Sequence, residues 1–88
     1  MKIHFTETGW KDYLYWAEQD KKTLKQINKL IEDIKRNGND GIGKPELLRG
    51  FLSGWWSRRI DEKNRLVYRL TDGGAVEIAQ CKGHYGDK

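Results

Sequence analysis

The sequence predicts an α+β domain of order β-α-α-β-β-β, with two N-terminal helices packed on one face of an antiparallel sheet. Three observations carry that prediction. Apolar residues recur at helical spacing between Trp10 and Ile34, and three short β-like runs follow Trp55. Between them, residues 37–46 hold three of the ten glycines and the only proline, so they form a loop.

Residues 2–6 read as a first strand with Ile3 and Phe5 on one face. Thr6 is placed to cap the first helix, with Glu7 in its first turn. Trp10, Tyr13, Leu14 and Ala17 then trace its expected inward face. Asp20 offers a second N-cap, and Leu24, Ile27, Leu30, Ile31 and Ile34 form the stripe of a second helix that ends at Asn37-Gly38. The β-like runs span 55–61, 64–71 and 75–81. Asp61-Glu62-Lys63-Asn64 and Asp72-Gly73-Gly74 separate them as turns, giving an antiparallel meander.

Eighty-eight residues make one small domain, 1–88, with ten aromatic residues to enlarge the area buried per side chain. A single cysteine, Cys81, excludes an internal disulfide framework and reads as a small core residue in a reducing compartment. No apolar run approaches the roughly 20 residues that span a bilayer, and the first ten residues lack a signal peptide's apolar stretch. The expectation is a soluble, cytoplasmic domain with no membrane association.

Net charge is +4, a mild bias, but its placement is uneven. Residues 44–69 carry Lys44, Arg49, Arg58, Arg59, Lys63, Arg65 and Arg69 against three acids. Arginine predominates there, and its planar fork suits phosphate. Lys21, Lys22, Lys25, Lys29 and Lys35 alternate with acids and read as a solvated helix face.

Gly38 to Lys44 satisfies G-x-x-x-x-G-K, the opening of a nucleotide-binding P-loop. A helix precedes it instead of a strand, and Pro45 stands where Ser or Thr would bind Mg²⁺. The match is accidental. The loop instead delivers Lys44 and Glu46 to the start of the sheet, with Pro45 biasing Lys44 toward extended backbone. Two histidines and one cysteine show no metal-ligand spacing, and Ser53 and Ser57 lack a nucleophile motif.

Glu46, Arg59, Arg65 and His84 would suit metal-free cleavage of an RNA phosphodiester. A carboxylate removes the 2′-OH proton, the oxygen attacks phosphorus, an imidazolium protonates the departing 5′ oxygen, and guanidiniums stabilise the phosphorane. Trp56, Tyr68 and Tyr85 would offer stacking surfaces for bases. Each residue also has a plainer reading: a solvated loop carboxylate, an Arg58-Arg59 pair on a sheet edge, an inert terminal histidine, aromatics that only pack. Whether Arg59 and Arg65 share a face depends on hairpin register, since a shift of one residue would separate them.

Several blocks in order carry a family resemblance: Trp10-Lys11-Asp12-Tyr13-Leu14-Tyr15-Trp16, Asp20-Lys21-Lys22, Gly41-Ile42-Gly43-Lys44-Pro45-Glu46, Leu52-Ser53-Gly54, Trp56-Ser57-Arg58-Arg59-Ile60, Asn64-Arg65-Leu66-Val67-Tyr68 and His84-Tyr85. Over essentially its whole length the chain resembles the YoeB family, a branch of the RelE-like toxins of bacterial toxin–antitoxin systems. The resemblance implies a microbial-ribonuclease-like fold that cleaves mRNA in the A site of the 70S ribosome and arrests translation. It implies a cognate antitoxin whose disordered C-terminal segment folds on the toxin, a homodimer, and no cofactor or metal. Glu46 then corresponds to the general base, His84 to the general acid and Arg65 to the transition-state stabiliser. Arg59, Arg49, Lys44 and Tyr85 correspond to substrate-binding residues. The chain departs from the family in carrying Arg49 where lysine is usual, and in the Gly86-Asp87-Lys88 tail after the tyrosine. A DNA-gyrase poison of the same fold and a non-catalytic RNA- or ribosome-binding inhibitor are the alternatives. Loss of growth arrest in Glu46→Ala and His84→Ala separates the nuclease from both.

Overall fold

Strand β1 (Lys2–Phe5) leads into helices α1 (Glu7–Gln19) and α2 (Lys21–Asn37), followed by β2 (Glu46–Leu47), β3 (Trp56–Arg59), β4 (Arg65–Leu70) and β5 (Ala75–Gln80). These elements come from a computed structural model, which describes residues 1–84. Both expected caps form. The Thr6 hydroxyl accepts the Gly9 N–H at 3.0 Å, and the Asp20 carboxylate accepts the N–H groups of Lys22 and Thr23 at 3.1 and 3.2 Å. Among the described residues no helix is long and apolar enough to cross a membrane.

The sheet order is β1-β5-β4-β3-β2, and it corrects the expected antiparallel sheet in two ways. β1 pairs with β5 in parallel, so the sheet is mixed. The helical hairpin lies between β1 and the meander and acts as a crossover, which brings β5 alongside β1 in the same direction. The second correction is β2, two residues where a loop was expected, added to the far edge against β3. A two-residue strand has no periodicity to read.

The core lies between α2 and the sheet. Ile27, Leu30 and Ile34 are fully buried against Leu66, Tyr68, Val76 and Ile78. Burying each such aliphatic side chain contributes roughly 1.5–3 kcal/mol. Cys81 is buried in the same cluster, as a small core residue should be.

α1 presents a different face from the one expected. Trp10 and Leu14 remain 49% and 44% exposed, while Gly9 and Asp12 are buried. The cause is Gly9, where a Cβ would lie 2.3 Å from the Ile78 carbonyl oxygen. The helix approaches β5 through that glycine, so the inward row becomes Gly9, Asp12, Tyr13 and Trp16, and Leu14 turns outward. A bulge reinforces the contact. Val67 pairs with Gln80 and Tyr68 with Ile78, which leaves Ala79 as the extra residue, and the Thr6 hydroxyl donates to its carbonyl at 2.9 Å.

Candidate active site

Register decides what the sheet's outer face presents. Arg59 stands directly opposite Arg65, Ser57 opposite Val67, and Glu46 opposite Ser57. Residues directly opposite share a face, and so do residues two apart. Glu46, Arg59 and Arg65 therefore project from the surface facing away from the helices. Glu46 lies one strand across from β3 and two residues along it from Arg59, about 5 Å by about 7 Å of backbone. That span is within reach of two long side chains.

The candidate site cations fall into two kinds. Among the described residues, Lys44, Arg49 and Arg59 engage no hydrogen-bond acceptor or ion partner and are open to solvent. Arg65 is half-buried and oriented, because its Nη1 donates to the carbonyls of Asp61 at 2.7 Å, Asn64 at 3.1 Å and Glu62 at 3.3 Å. Its guanidinium is held from one side by the β3–β4 turn. That turn is itself fixed by the Asp61 carboxylate, which accepts the N–H groups of Lys63 and Asn64. Burial works against ionisation of Asp61, but hydrogen bonds from the Asn64 side chain and from the two backbone N–H groups, with the Arg65 charge nearby, hold its carboxyl below the ordinary value.

Asn64 also ties the chain's end to this corner. Its Oδ1 accepts the Gly83 N–H at 2.8 Å, and the Gly83 carbonyl accepts the Arg65 N–H at 3.0 Å. Gly83 has φ of 79°, a left-handed conformation that glycine adopts without strain. Gly83, the residue before the half-buried His84, is thereby tied to the Arg65 corner.

α1 grips the same segment from the other side. Asp12 accepts the Cys81 N–H at 3.0 Å, Trp16 Nε1 donates to the Cys81 carbonyl at 2.8 Å, and Lys82 Nζ lies 4.5 Å from the Tyr15 ring centroid. The Asp12, Tyr15 and Trp16 of the N-terminal block thus hold the strand that leads to His84. Tyr85 lies outside the described residues, as do residues 86–88.

A residue the sequence reading misplaced anchors the loop that delivers Lys44 and Glu46. The plainer reading set Arg58 with Arg59 on a sheet edge, yet Arg58 is fully buried on the helix side of β3. All five of its N–H donors are used. Nε donates to the Tyr68 hydroxyl at 3.2 Å, one Nη1 hydrogen to Asp33 and the other to the Ile42 carbonyl at 3.0 Å, and Nη2 to the carbonyls of Gly38 and Asp40, both at 2.7 Å. The Arg58 hydrogen bond leads the causes that hold the Asp33 carboxyl below its ordinary value, ahead of opposing burial and in concert with the Ile42 N–H and the Asn37 side chain.

This packing also accounts for the glycines of the false P-loop. A Cβ on Gly41 would collide with the Asp33 carboxylate, and one on Gly43 would sit 2.8 Å from Leu30 Cδ2. The loop continues to β3, where the Gly43 carbonyl accepts the Arg59 N–H at 2.7 Å. Lys44 then takes φ of 52°, which corrects the extended backbone expected before Pro45. The loop is fixed on Arg58 on one side and on the Glu46–Ser57 pair on the other, so Lys44 absorbs the reversal between them. Such a backbone costs about 1–2 kcal/mol.

Tyr68 is a further correction, since it cannot stack on bases. It is fully buried, burial raises its hydroxyl pKa, and its oxygen accepts from Arg58. Trp56 packs partly buried against the core. Asn64 and Arg58, by contrast, went unrecognised as positioning residues. The one sequence signal for Arg58 is its place between Trp56 and Ile60 on the same strand face, and Asn64, in the turn after Lys63, carries no such signal. Among the described residues no cluster of three His, Cys, Asp or Glu side chains is arranged to hold a metal ion.

Comparison with known proteins gives a consistent picture. Residues 5–85 match a family described as the YoeB-like toxin of bacterial type II toxin–antitoxin systems. The chain is 56% identical over 85 residues to Toxin YoeB of Streptomyces coelicolor, covering 97% of this chain and all of that one. The structure superposes on a YoeB/ParE toxin from Agrobacterium tumefaciens with a TM-score of 0.93 at 43% identity, over 97% of this chain and 100% of that one. A heterotetrameric YoeB–YefM toxin–antitoxin complex from Staphylococcus aureus superposes at 0.89 with 46% identity, over 97% of this chain and 98% of that one. A YoeB dimer from the same organism superposes at 0.88 with 46% identity and the same coverage.

Proposed function

The chain belongs to the YoeB-like toxins of bacterial type II toxin–antitoxin systems, which are ribosome-dependent mRNA endoribonucleases, and from that premise we propose how its own residues carry the reaction. Glu46 removes the 2′-OH proton of the nucleotide 5′ to the scissile phosphate. The O2′–P bond forms and the P–O5′ bond breaks. His84 gives its proton to the departing O5′, leaving a 2′,3′-cyclic phosphate and a free 5′-hydroxyl. Arg65, aimed by the turn carbonyls behind it, stabilises the phosphorane charge, and a preset donor needs no reorganisation as that charge develops. Arg59, Lys44 and Arg49 hold phosphates as unengaged cations, and Tyr85 helps to position the substrate. The reaction needs no metal or cofactor.

One observation supports this reading above the others: Arg59 and Arg65 are register partners on the face that also carries Glu46. The cut falls in A-site codons, as membership of this family implies; the requirement for a 2′-OH selects RNA, and the unengaged cations suit an RNA-lined cleft. The partners are the mRNA, the 70S ribosome and a cognate antitoxin whose disordered C-terminal segment folds on this chain. The half-exposed Trp10, Leu14 and Tyr15 of α1 favour a homodimer. The setting is the cytoplasm, where these partners are.

The test maps cleavage of a defined mRNA in a purified translation system with EDTA-treated controls, for wild type and His84→Ala. A-site cuts by the wild type alone are expected. Arrest without cuts, equal in both proteins, would reduce the chain to a blocker and overturn the assignment.

A further inference from the structure

One aromatic side chain takes no part in the fold. Phe51 is 91% exposed at the centre of the Gly50–Leu52 turn, on the connection between β2 and β3. The turn is not loose. The Leu48 N–H donates to the Trp55 carbonyl at 2.9 Å, the Ser53 N–H to the Gly50 carbonyl at 3.0 Å, and the Trp55 N–H to the Leu52 carbonyl at 3.0 Å. It projects into open space, since a Cβ on Gly50 or Gly54 would meet nothing within 4 Å. Arg49, immediately before it, is an unengaged exposed cation. A braced, protruding aromatic two residues from an exposed, unengaged arginine suits single-stranded nucleic acid, which such surfaces bind through stacking and phosphate contact together.

Its place in the sheet gives the arrangement a direction. Arg59, Arg65 and the Asn64-anchored His84 segment lie at the end of β3 that enters the β3–β4 turn. Phe51 lies beyond the opposite end, and Glu46, paired with Ser57, falls between. In the proposed reaction the base acts on the nucleotide 5′ to the cut and the acid on the nucleotide 3′ to it. RNA laid along β3 in that reaction therefore runs 5′ to 3′ from the connection that carries Phe51, past Glu46, toward the His84 segment.

We propose that Phe51, with Arg49 beside it, forms a stacking subsite for a nucleobase of the mRNA on the 5′ side of the cleaved bond. This rests on the nuclease reading above. Because the ring is nearly fully exposed, its replacement leaves the fold intact.

The experiment measures initial cleavage rates in a purified translation system for wild type, Phe51→Ala and Phe51→Trp. The mRNAs are made abasic, one at a time, at the two nucleotides on either side of the cut. Phe51→Ala should raise KM about fivefold to thirtyfold at unchanged kcat, within the range that base–aromatic stacking supplies, and Phe51→Trp should restore it. An abasic site on the 5′ side should raise KM for wild type but add nothing to Phe51→Ala, whereas one on the 3′ side should add fully. Wild-type cleavage by Phe51→Ala overturns the proposal while leaving the nuclease intact. So does a loss confined to kcat, a coupling to the 3′ side, or a change only in self-association or antitoxin retention by sedimentation. No cleavage by wild type removes the nuclease reading and the subsite with it.

Discussion

Replacing Arg58 with lysine tests the buried hub while keeping its charge. The guanidinium offers five donors and the ammonium three. If one ammonium hydrogen keeps the Asp33 ion pair, two remain for four acceptors: the Tyr68 hydroxyl and the carbonyls of Gly38, Asp40 and Ile42. At least two are left unpaired, at about 1–3 kcal/mol for each acceptor that water cannot reach. Asp40 is exposed and recovers a water, which leaves one acceptor unpaired, so the expected loss is about 1–3 kcal/mol, a sizeable share of what a domain this size possesses. Urea unfolding followed by fluorescence reads it directly. With a slope near 1 kcal/mol per molar for so small a domain, the midpoint should fall by roughly 1–3 M with the slope unchanged. Hydrogen exchange adds a local readout, because the Arg59 amide bonded to Gly43 should lose protection as the loop comes away. A midpoint within about 0.5 M of wild type, with Arg59 still protected, would refute the reasoning.

Four further outcomes follow from the same structure. Glu46→Gln and His84→Gln should each lower kcat by about 10²–10⁴, with chelators leaving the wild-type rate unchanged; a chelator-sensitive rate would contradict metal-free chemistry. Asn64→Ala removes the acceptor of the Gly83 N–H and should lower kcat on the order of tenfold to a hundredfold by misplacing His84 and Arg65; a wild-type rate would show that the link does not matter. Asp33 and Asp61 have folded pKa values below the ordinary 3.8, so their stabilisation is complete above that pH and is lost as pH falls through the lower folded values. Acid titration should therefore unfold the wild type below about pH 4, and Asp33→Asn should flatten that limb; an unchanged limb would exclude Asp33 as its source. Cleavage should weaken with added salt, as expected of unengaged cations on phosphate, and a salt-independent rate would count against ribosomal docking through Lys44, Arg49 and Arg59.

Much of the fold was legible because it follows from local rules. Thr6 and Asp20 cap their helices through side chains adjacent in sequence, and the α2 stripe and the Asp61–Asn64 turn announce themselves within a few residues. What was not legible depends on distant partners. The burial of Arg58 makes sense only once Asp33, 25 residues earlier, closes over it, and two consecutive arginines otherwise look like surface. α1 was misoriented because the contact that sets its rotation, Gly9 on Ile78, has no hydrophobic side chain to reveal it. At the site, Glu46, Arg65 and His84 were singled out by chemistry and by family resemblance. That Arg59 and Arg65 share a face required the register. The roles of Asn64 and the Asp12–Trp16 clamp required the position of a segment that arrives from the far end of the chain.

The parallel pairing of β1 with β5 has a consequence for the birth of the protein. The first strand finds its partner only in the last, and Thr6 closes on Ile78 and Ala79 across more than seventy residues. Domains fold during synthesis only once their contacting segments have emerged. The sheet therefore cannot close, nor can Cys81 and Gly83 dock on Asp12, Trp16 and Asn64, until β5 and the residues just after it have emerged. A nascent chain that lacks β5 lacks both the closed sheet and the anchored segment before His84.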